Sequence, residues 1–412
     1  MTKDIEILLE QASPLADQPF NIEIRGLPPQ QLTTIQMRLD NYYNINAPMR
    51  LDPKVPWTSE ASFLSDVKGK VSCKSTPALV GSYTGIAQMG LFFNAKPSKQ
   101  KLIQLSSDMA EVPLFADFEL KITVIVKGKI IATRCFKRYF QIPNIVSQNL
   151  TFKRAYGRFF YPENQTALPS IIVLSGSDGR IEKAQNIAQV LASHGFASLA
   201  LAYFGFEGLA QHLERIPLEI IKDALSFLQA QSQLNSTRIG LYGRSKGAEF
   251  ALLAATTFPD QISCLVLNSP TNISLEGIKG WKNSKTSSWT YDGQELPYTR
   301  FSWRYFLKEK WLGKSDLPIN PASILPVERV EAPLLVIAST CDEIWPATQA
   351  AWKIKERASS KTLEIALYPN CGHMMTLAYQ PNSRYKRIPW ERILQDNTDS
   401  WQKTVNFFKR YL

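Results

Sequence analysis

The chain has 412 residues, with 47 Lys and Arg against 36 Asp and Glu, a formal net charge of +11, and 44% hydrophobic residues. That length exceeds the roughly 250 to 300 residues at which a single core stops growing, so two domains are expected, and the composition excludes a disordered or fibrous chain. No apolar run reaches the ~18 residues that a membrane-spanning helix needs, and the charge comes without zinc-finger, RNA-recognition or P-loop patterns, so no membrane span and no nucleic-acid partner are expected.

The N-terminal stretch from Asp4 to Glu10 is acidic and too short in apolar residues for a signal peptide, which predicts a cytoplasmic protein. Five cysteines, Cys73, Cys135, Cys264, Cys341 and Cys371, form an odd set without CxxC spacing. They predict reduced thiols rather than a disulfide framework or a metal site.

Residues 1–145 carry short β-rich runs such as Phe20–Ile24 and Phe118–Val126, separated by Pro, Gly and Asn, and predict a small β-sandwich. Lys127-Gly128-Lys129 lies between two apolar strands and predicts a hairpin turn. A linker is expected near 143–150. From 150 to 412 the pattern changes to buried strands alternating with amphipathic helices, the mark of a parallel sheet covered on both faces. Expected strands are Ile171–Leu174, Ala197–Leu201, Arg238–Tyr242, Cys264–Asn268, Leu334–Ala338 and Leu363–Leu367. Helices are expected over 183–193, 217–231, 246–257, 347–358 and 398–410. Between 270 and 330 the periodicity lapses into an aromatic, basic segment of the kind that forms a lid or cap.

Gly243-Arg244-Ser245-Lys246-Gly247 has the form G-x-S-x-G, directly after a predicted strand and before a predicted helix. A turn that sharp tolerates only small residues two before and two after the serine, and it would expose Ser245 as a nucleophile. A serine hydroxyl needs a base. Of the three histidines, His194 stands at a helix end and His212 precedes the strand of the nucleophile, whereas His373 follows the last predicted strand. Asp342, just after the strand Leu334–Ala338, would accept the Nδ1 proton of His373; Glu343 is longer and is expected to point elsewhere. The alternative for Asp342 is a helix cap before Pro346. An oxyanion would be met by the Lys246 amide and by Ser177 or Asp178 in the loop Ser175–Gly179, with no choice possible between the last two.

Four stretches carry a family resemblance: Gly81–Phe92, Leu199–Gly205, Ser245-Lys246-Gly247-Ala248-Glu249 and Asp342-Glu343-Ile344-Trp345. They resemble the acyl-CoA thioesterase and bile acid-CoA:amino acid N-acyltransferase family over nearly the whole chain. The resemblance implies an α/β fold: an N-terminal β-sandwich domain and a C-terminal α/β-hydrolase domain. It also implies an acyl-CoA substrate, Ser245, Asp342 and His373 as a catalytic triad, and no cofactor or metal. Family members with a serine nucleophile hydrolyse acyl-CoA through an acyl-enzyme, and those with cysteine transfer the acyl group to glycine or taurine, so Ser245 favours hydrolysis. The chain departs from the family at Cys341, where a second aspartate is frequent, and at Arg244, where a small or apolar residue is frequent. Transfer to an amino acid, a carboxylesterase, dienelactone-type hydrolase or serine peptidase, and a non-enzymatic scaffold remain alternatives.

The segment from Lys279 to Lys314 carries eight Lys or Arg against Asp292, Glu295 and Glu309, interleaved with Trp281, Trp289, Phe301, Trp303, Tyr305, Phe306 and Trp311. As a lid its aromatics would cover an acyl chain, and Lys282 and Arg304 would meet the phosphates of coenzyme A; the alternative is a solvated basic face.

Overall fold

The structure is a computed structural model that describes residues 4–280, 282–301, 318–385 and 387–412. Two units divide them, and not by one cut. The first comprises Met1–Leu105, Leu114–Pro143 and Thr376–Asp399; the second comprises Ser106–Pro113, Asn144–Met375 and Ser400–Leu412.

The first unit holds two antiparallel sheets. One is formed by Glu6–Gln11, Phe20–Arg25 and Val71–Ser72. The other runs, in spatial order, Ala78–Gly81, Trp57–Leu64, Leu32–Asp40, Asp117–Val126 and Lys129–Tyr139. Period-2 patterning explains the second sheet: Trp57, Ser59, Ala61 and Phe63 face the core while Thr58, Glu60 and Leu64 face solvent. Its last two strands join through Lys127 and Gly128, at φ 50° and 75°, the two positive values of a tight type I′ hairpin. In the Gly81–Phe92 stretch glycine is required by space: a Cβ on Gly81 would lie 2.3 Å from the Glu60 carbonyl oxygen, and one on Gly90 would lie 2.4 Å from the Tyr83 ring. Residues Thr376–Asp399 complete this unit. Gln380 accepts from the Tyr42 hydroxyl at 2.5 Å and donates to the Ala16 carbonyl at 3.2 Å, and the Trp390 ring packs edge-on against Tyr83.

The second unit is built on eight strands: β1 (Ile145–Thr151), β2 (Tyr156–Pro162), β3 (Leu168–Leu174), β4 (Ala197–Ala202), β5 (Leu234–Arg244), β6 (Cys264–Asn268), β7 (Leu334–Ser339) and β8 (Leu363–Tyr368). Their order is β1-β2-β4-β3-β5-β6-β7-β8. β1 and β2 pair antiparallel, as do β2 and β4; from β4 to β8 all pairs are parallel. Strands β4, β6 and β7 are buried along their whole length, because helices cover the sheet, so they read as predominantly apolar runs. The helices are α1 (Ile181–Ser193), α2 (Glu219–Gln229), α3 (Lys246–Thr257) and α4 (Ala347–Arg357); a last helix runs Trp390–Tyr411, and its residues from Ser400 on belong to this unit. No helix among the described residues is long and apolar enough to cross a membrane.

The expected linker at 143–150 is corrected: Ile145–Thr151 is the edge strand of this sheet. Its central Ser147, Gln148 and Asn149 are exposed, so it carries no apolar alternation to betray it.

Because β3, β5, β7 and β8 are parallel, their carboxyl ends share one edge of the sheet. The loops leaving that edge carry Ser177 and Asp178, Ser245, Asp342 and His373 respectively, the usual place for a site in a parallel sheet.

Candidate active site

Ser245 sits between β5 and α3 at φ 59° and ψ −125°, a conformation that non-glycine residues rarely adopt. Its backbone is pinned by its own amide, which donates to the Asn268 carbonyl at 2.8 Å. Both flanking glycines are demanded by contact: a Cβ on Gly243 would lie 2.2 Å from the Gly247 carbonyl oxygen, and one on Gly247 would lie 2.0 Å from that of Ser175. The strain therefore holds the serine side chain up from the end of the sheet.

The structure brings Ser245, His373 and Asp342 together. Ser245 Oγ lies 2.8 Å from His373 Nε2. On the other side of the ring, Nδ1 lies 2.8 Å from Asp342 Oδ2 and 3.0 Å from Oδ1. Both members of the His373–Asp342 pair are almost fully buried, which strengthens the interaction relative to water. Asp342 also accepts the amides of Ile344 at 2.8 Å and Trp345 at 3.2 Å, so it organises its own loop as well as the imidazole. It does not cap α4, whose N-cap is Pro346 without a side-chain bond.

The sequence reading did not find the residues that hold His373. Glu343 Oε2 accepts the His373 amide at 2.8 Å, the Ser269 hydroxyl donates to its carbonyl at 3.1 Å, and the Trp345 ring stands edge-on to the imidazole at 5.1 Å. Trp345 is held in turn by donation to the Ser269 carbonyl at 3.1 Å. Glu343 does point away from the imidazole ring, as expected, but to the backbone of the same residue. Only its adjacency to Asp342 in sequence hinted at it. Of the other histidines, His194 is the C-cap of α1 and His212 lies in the loop before Ile216–Pro217.

The loop Ser175–Gly179 packs against the elbow at Gly176, where an added Cβ would stand 3.1 Å from Ser245 Cβ and 3.4 Å from its Oγ. Tyr203, from the Leu199–Gly205 stretch, clamps this loop with a hydroxyl 2.8 Å from the Ser175 carbonyl oxygen and 2.7 Å from that of Gly176. Ser177 is exposed, and Asp178 turns its carboxylate inward to 3.5 Å from Lys183 Nζ. Burial works to raise the Asp178 pKa, but Lys183 and Arg244 outweigh it and hold the carboxyl below the ordinary aspartate value.

Lys246 is the first residue of α3, so its amide has no intrahelical acceptor. Its side chain is buried and points away from solvent into a network: Nζ donates to Glu249 Oε2 at 2.9 Å, Ser288 Oγ at 2.8 Å and the Leu275 carbonyl at 3.1 Å. Glu249 Oε1 accepts the Trp289 indole N–H at 2.6 Å and the Leu275 amide at 3.0 Å. Burial lowers the Lys246 pKa, opposed by Glu249.

Trp289, expected among the lid aromatics, is corrected to a core residue: it is fully buried and stacks on Phe250 of α3 at 4.5 Å. A large indole with one polar N–H is best satisfied where an acceptor is buried beside it, and Glu249 supplies that acceptor. The described part of the segment is a set of short strands, with Glu276–Lys279 paired to Lys282–Ser287 and Trp289–Tyr291 paired to Ile216–Pro217 and Gln294–Glu295. Lys282 is exposed. Arg304, Trp281, Trp303, Tyr305, Phe306 and Trp311 lie outside the described residues.

The strand order, the elbow after β5 and loops that bring an acid and a histidine to it define an α/β-hydrolase. Two family models match in succession: "Acyl-CoA thioester hydrolase/BAAT N-terminal region" over residues 17–152 and "BAAT / Acyl-CoA thioester hydrolase C terminal" over residues 216–412. The chain belongs to the acyl-CoA thioester hydrolase/BAAT family. It is 27% identical to acyl-coenzyme A amino acid N-acyltransferase 2 of Mus musculus over 99% of this chain and 98% of that protein. It is 27% identical to acyl-coenzyme A thioesterase 6 of Mus musculus over 96% of this chain and 94% of that one. Among solved structures it is similar to a dienelactone hydrolase-like promiscuous phosphotriesterase from metagenomic libraries, at 15% identity and a TM-score of 0.42 over 65% of this chain and 99% of that one.

Proposed function

We propose that the protein hydrolyses acyl-CoA thioesters. The observation that carries this reading is the relay in which Ser245 Oγ, His373 and Asp342 succeed one another at 2.8 Å and 2.8 Å. In the mechanism His373 Nε2 takes the hydroxyl proton as Ser245 attacks the thioester carbonyl, and Asp342 holds the ring in the tautomer that leaves Nε2 free. The tetrahedral oxyanion is met by the Lys246 amide at the start of α3 and by an amide of the Ser177–Asp178 loop, with the helix dipole adding to the field. The protonated His373 then delivers its proton to the departing thiolate, coenzyme A leaves, and the imidazole activates a water that cleaves the acyl-serine ester.

Relatives bear the names of both thioesterases and amino acid N-acyltransferases, so the acyl acceptor decides between the two. A serine ester is less reactive toward amines than a thioester on cysteine, so water wins at Ser245 unless an amine site intervenes. The test is acyl-CoA turnover in the presence of millimolar glycine or taurine, with free thiol followed and products weighed by mass spectrometry. Free acid is expected; N-acyl glycine or N-acyl taurine as the main product puts the transferase in its place. Thiol release no faster than without enzyme, alongside rapid cleavage of aryl esters, makes the protein a carboxylesterase instead.

The reading of the first unit as a β-sandwich is supported by its two antiparallel sheets and by the inward alternation of Trp57–Leu64 and Leu32–Asp40.

A further inference from the structure

Arg244 immediately precedes Ser245 and is 4% exposed. A guanidinium has five N–H donors and keeps its charge at every physiological pH, so burying one normally requires a carboxylate or several carbonyl oxygens. Another buried guanidinium meets that requirement: Arg180 binds Glu182 at 2.8 Å and donates to the carbonyls of Gly205 at 2.6 Å and Ser106 at 2.8 Å. Arg244 does not. Its one hydrogen bond to the described residues is from Nη1 to the thioether sulfur of Met374 at 2.8 Å, a weak acceptor, and it has no carboxylate within ion-pair distance among them.

The contact with Met374 also fixes where the guanidinium is. Met374 follows His373, so the charged end of Arg244 reaches from the residue before Ser245 to the residue after the histidine, alongside the relay rather than beneath the sheet. Asp178 is the acid that feels Arg244, and Asp178 already has Lys183 at 3.5 Å. Among the described residues most of the Arg244 donors are thus unspent.

From this we infer that Arg244 binds a carboxylate borne by the acyl group itself, and that the preferred substrates are short acyl donors ending in a second carboxylate rather than apolar acyl chains. The inference rests on the hydrolase reading of Ser245. The phosphates of coenzyme A are not the partner, because the pantetheine arm holds them many bonds from the thioester carbon that must lie against Ser245. A planar guanidinium and a carboxylate meet through two parallel bonds, which also orients the acyl group for attack.

The test compares succinyl-CoA with butyryl-CoA, which differ by a carboxylate in place of a methyl group, and the same two acyl groups as aryl esters. Wild-type kcat/KM is expected to favour the succinyl member in whichever series is cleaved. Arg244→Met keeps the stem and removes the charge; it should lower the succinyl-to-butyryl ratio by about 100-fold, the worth of a charge-assisted pair, and Arg244→Lys should retain part of the preference. A wild-type preference for the butyryl member overturns the inference even if no variant folds. So does an Arg244→Met loss that is equal for both acyl groups, which would make Arg244 a stabiliser of the oxyanion instead. Cleavage of the aryl esters alone refutes the thioesterase reading and leaves the ratio to judge Arg244 separately.

Discussion

The amide of His373 donates to Glu343 Oε2 at 2.8 Å, while the ring of the same histidine is held by the adjacent Asp342. Two consecutive carboxylates therefore grip one residue at two points, one setting the imidazole and the other the height of the loop that carries it. Glu343→Ala is expected to lower kcat on the order of 10-fold to 100-fold with little change in KM, since a lost charge-assisted bond of about 1.5–3 kcal/mol displaces the base and not the substrate. Steady-state kinetics on the acyl-CoA that turns over best checks this; a pure KM effect would assign Glu343 to substrate binding.

Ser245→Ala and His373→Ala should each reduce kcat by about 10⁴-fold or more, and the double variant should be scarcely worse than either, because members of a relay fail as a unit. Asp342→Asn should also be severe, since the amide presents an N–H to the wrong tautomer. Circular dichroism and a fluorophosphonate probe accompany the kinetics. His373→Ala activity within tenfold of wild type would show that another base serves Ser245.

The buried Lys246–Glu249 pair predicts an asymmetry in stability. Lys246→Met leaves the Glu249 carboxylate buried without its cation and should cost about 3–5 kcal/mol, whereas Lys246→Met combined with Glu249→Gln should recover most of that loss. Urea unfolding midpoints test it. Equal midpoints for the single and double variants would mean that the charges are not coupled.

Asp178 predicts a pH dependence. Its carboxyl lies below the ordinary aspartate value in the folded chain, so it contributes stability at neutral pH that is lost as pH falls through its folded-state value. The stability advantage of wild type over Asp178→Asn should be largest near pH 7 and shrink steadily on acidification. An advantage that is constant from neutral to acid pH would show that the carboxylate draws nothing from Lys183 and Arg244.

The legible parts of the chain were those that obey a local rule. Gly243 and Gly247 announce the elbow because no side chain fits there, and strands β4, β6 and β7 stand out because burial on both faces leaves them mostly apolar, with one polar residue each. That Asp342 and His373 meet Ser245 follows from which strand each one ends, since parallel strands finish on one edge. What stayed hidden depends on partners distant in sequence. Trp289 reads as an exposed aromatic among cations until Glu249, 40 residues earlier, is seen to accept its indole proton. Ile145–Thr151 reads as a linker because its outward face is polar, and only its pairing with β2 makes it a strand. Arg244 shows its type in the sequence but not that no carboxylate pairs with it among the described residues.

The division of the chain bears on how it is made. Thr376–Asp399 belongs to the first unit, supplying Gln380 beside Tyr42 and Trp390 beside Tyr83, although it follows every strand of the second. A ribosome releases residues in order, so the first unit's sheets emerge and then wait for a piece synthesised after every strand of the second, and their folding cannot finish first as it does in chains whose domains are simply strung together. Release of a chain stopped at residue 375 should leave both units unfinished. A protein of this design meets its chaperones with both units still open rather than one finished domain at a time.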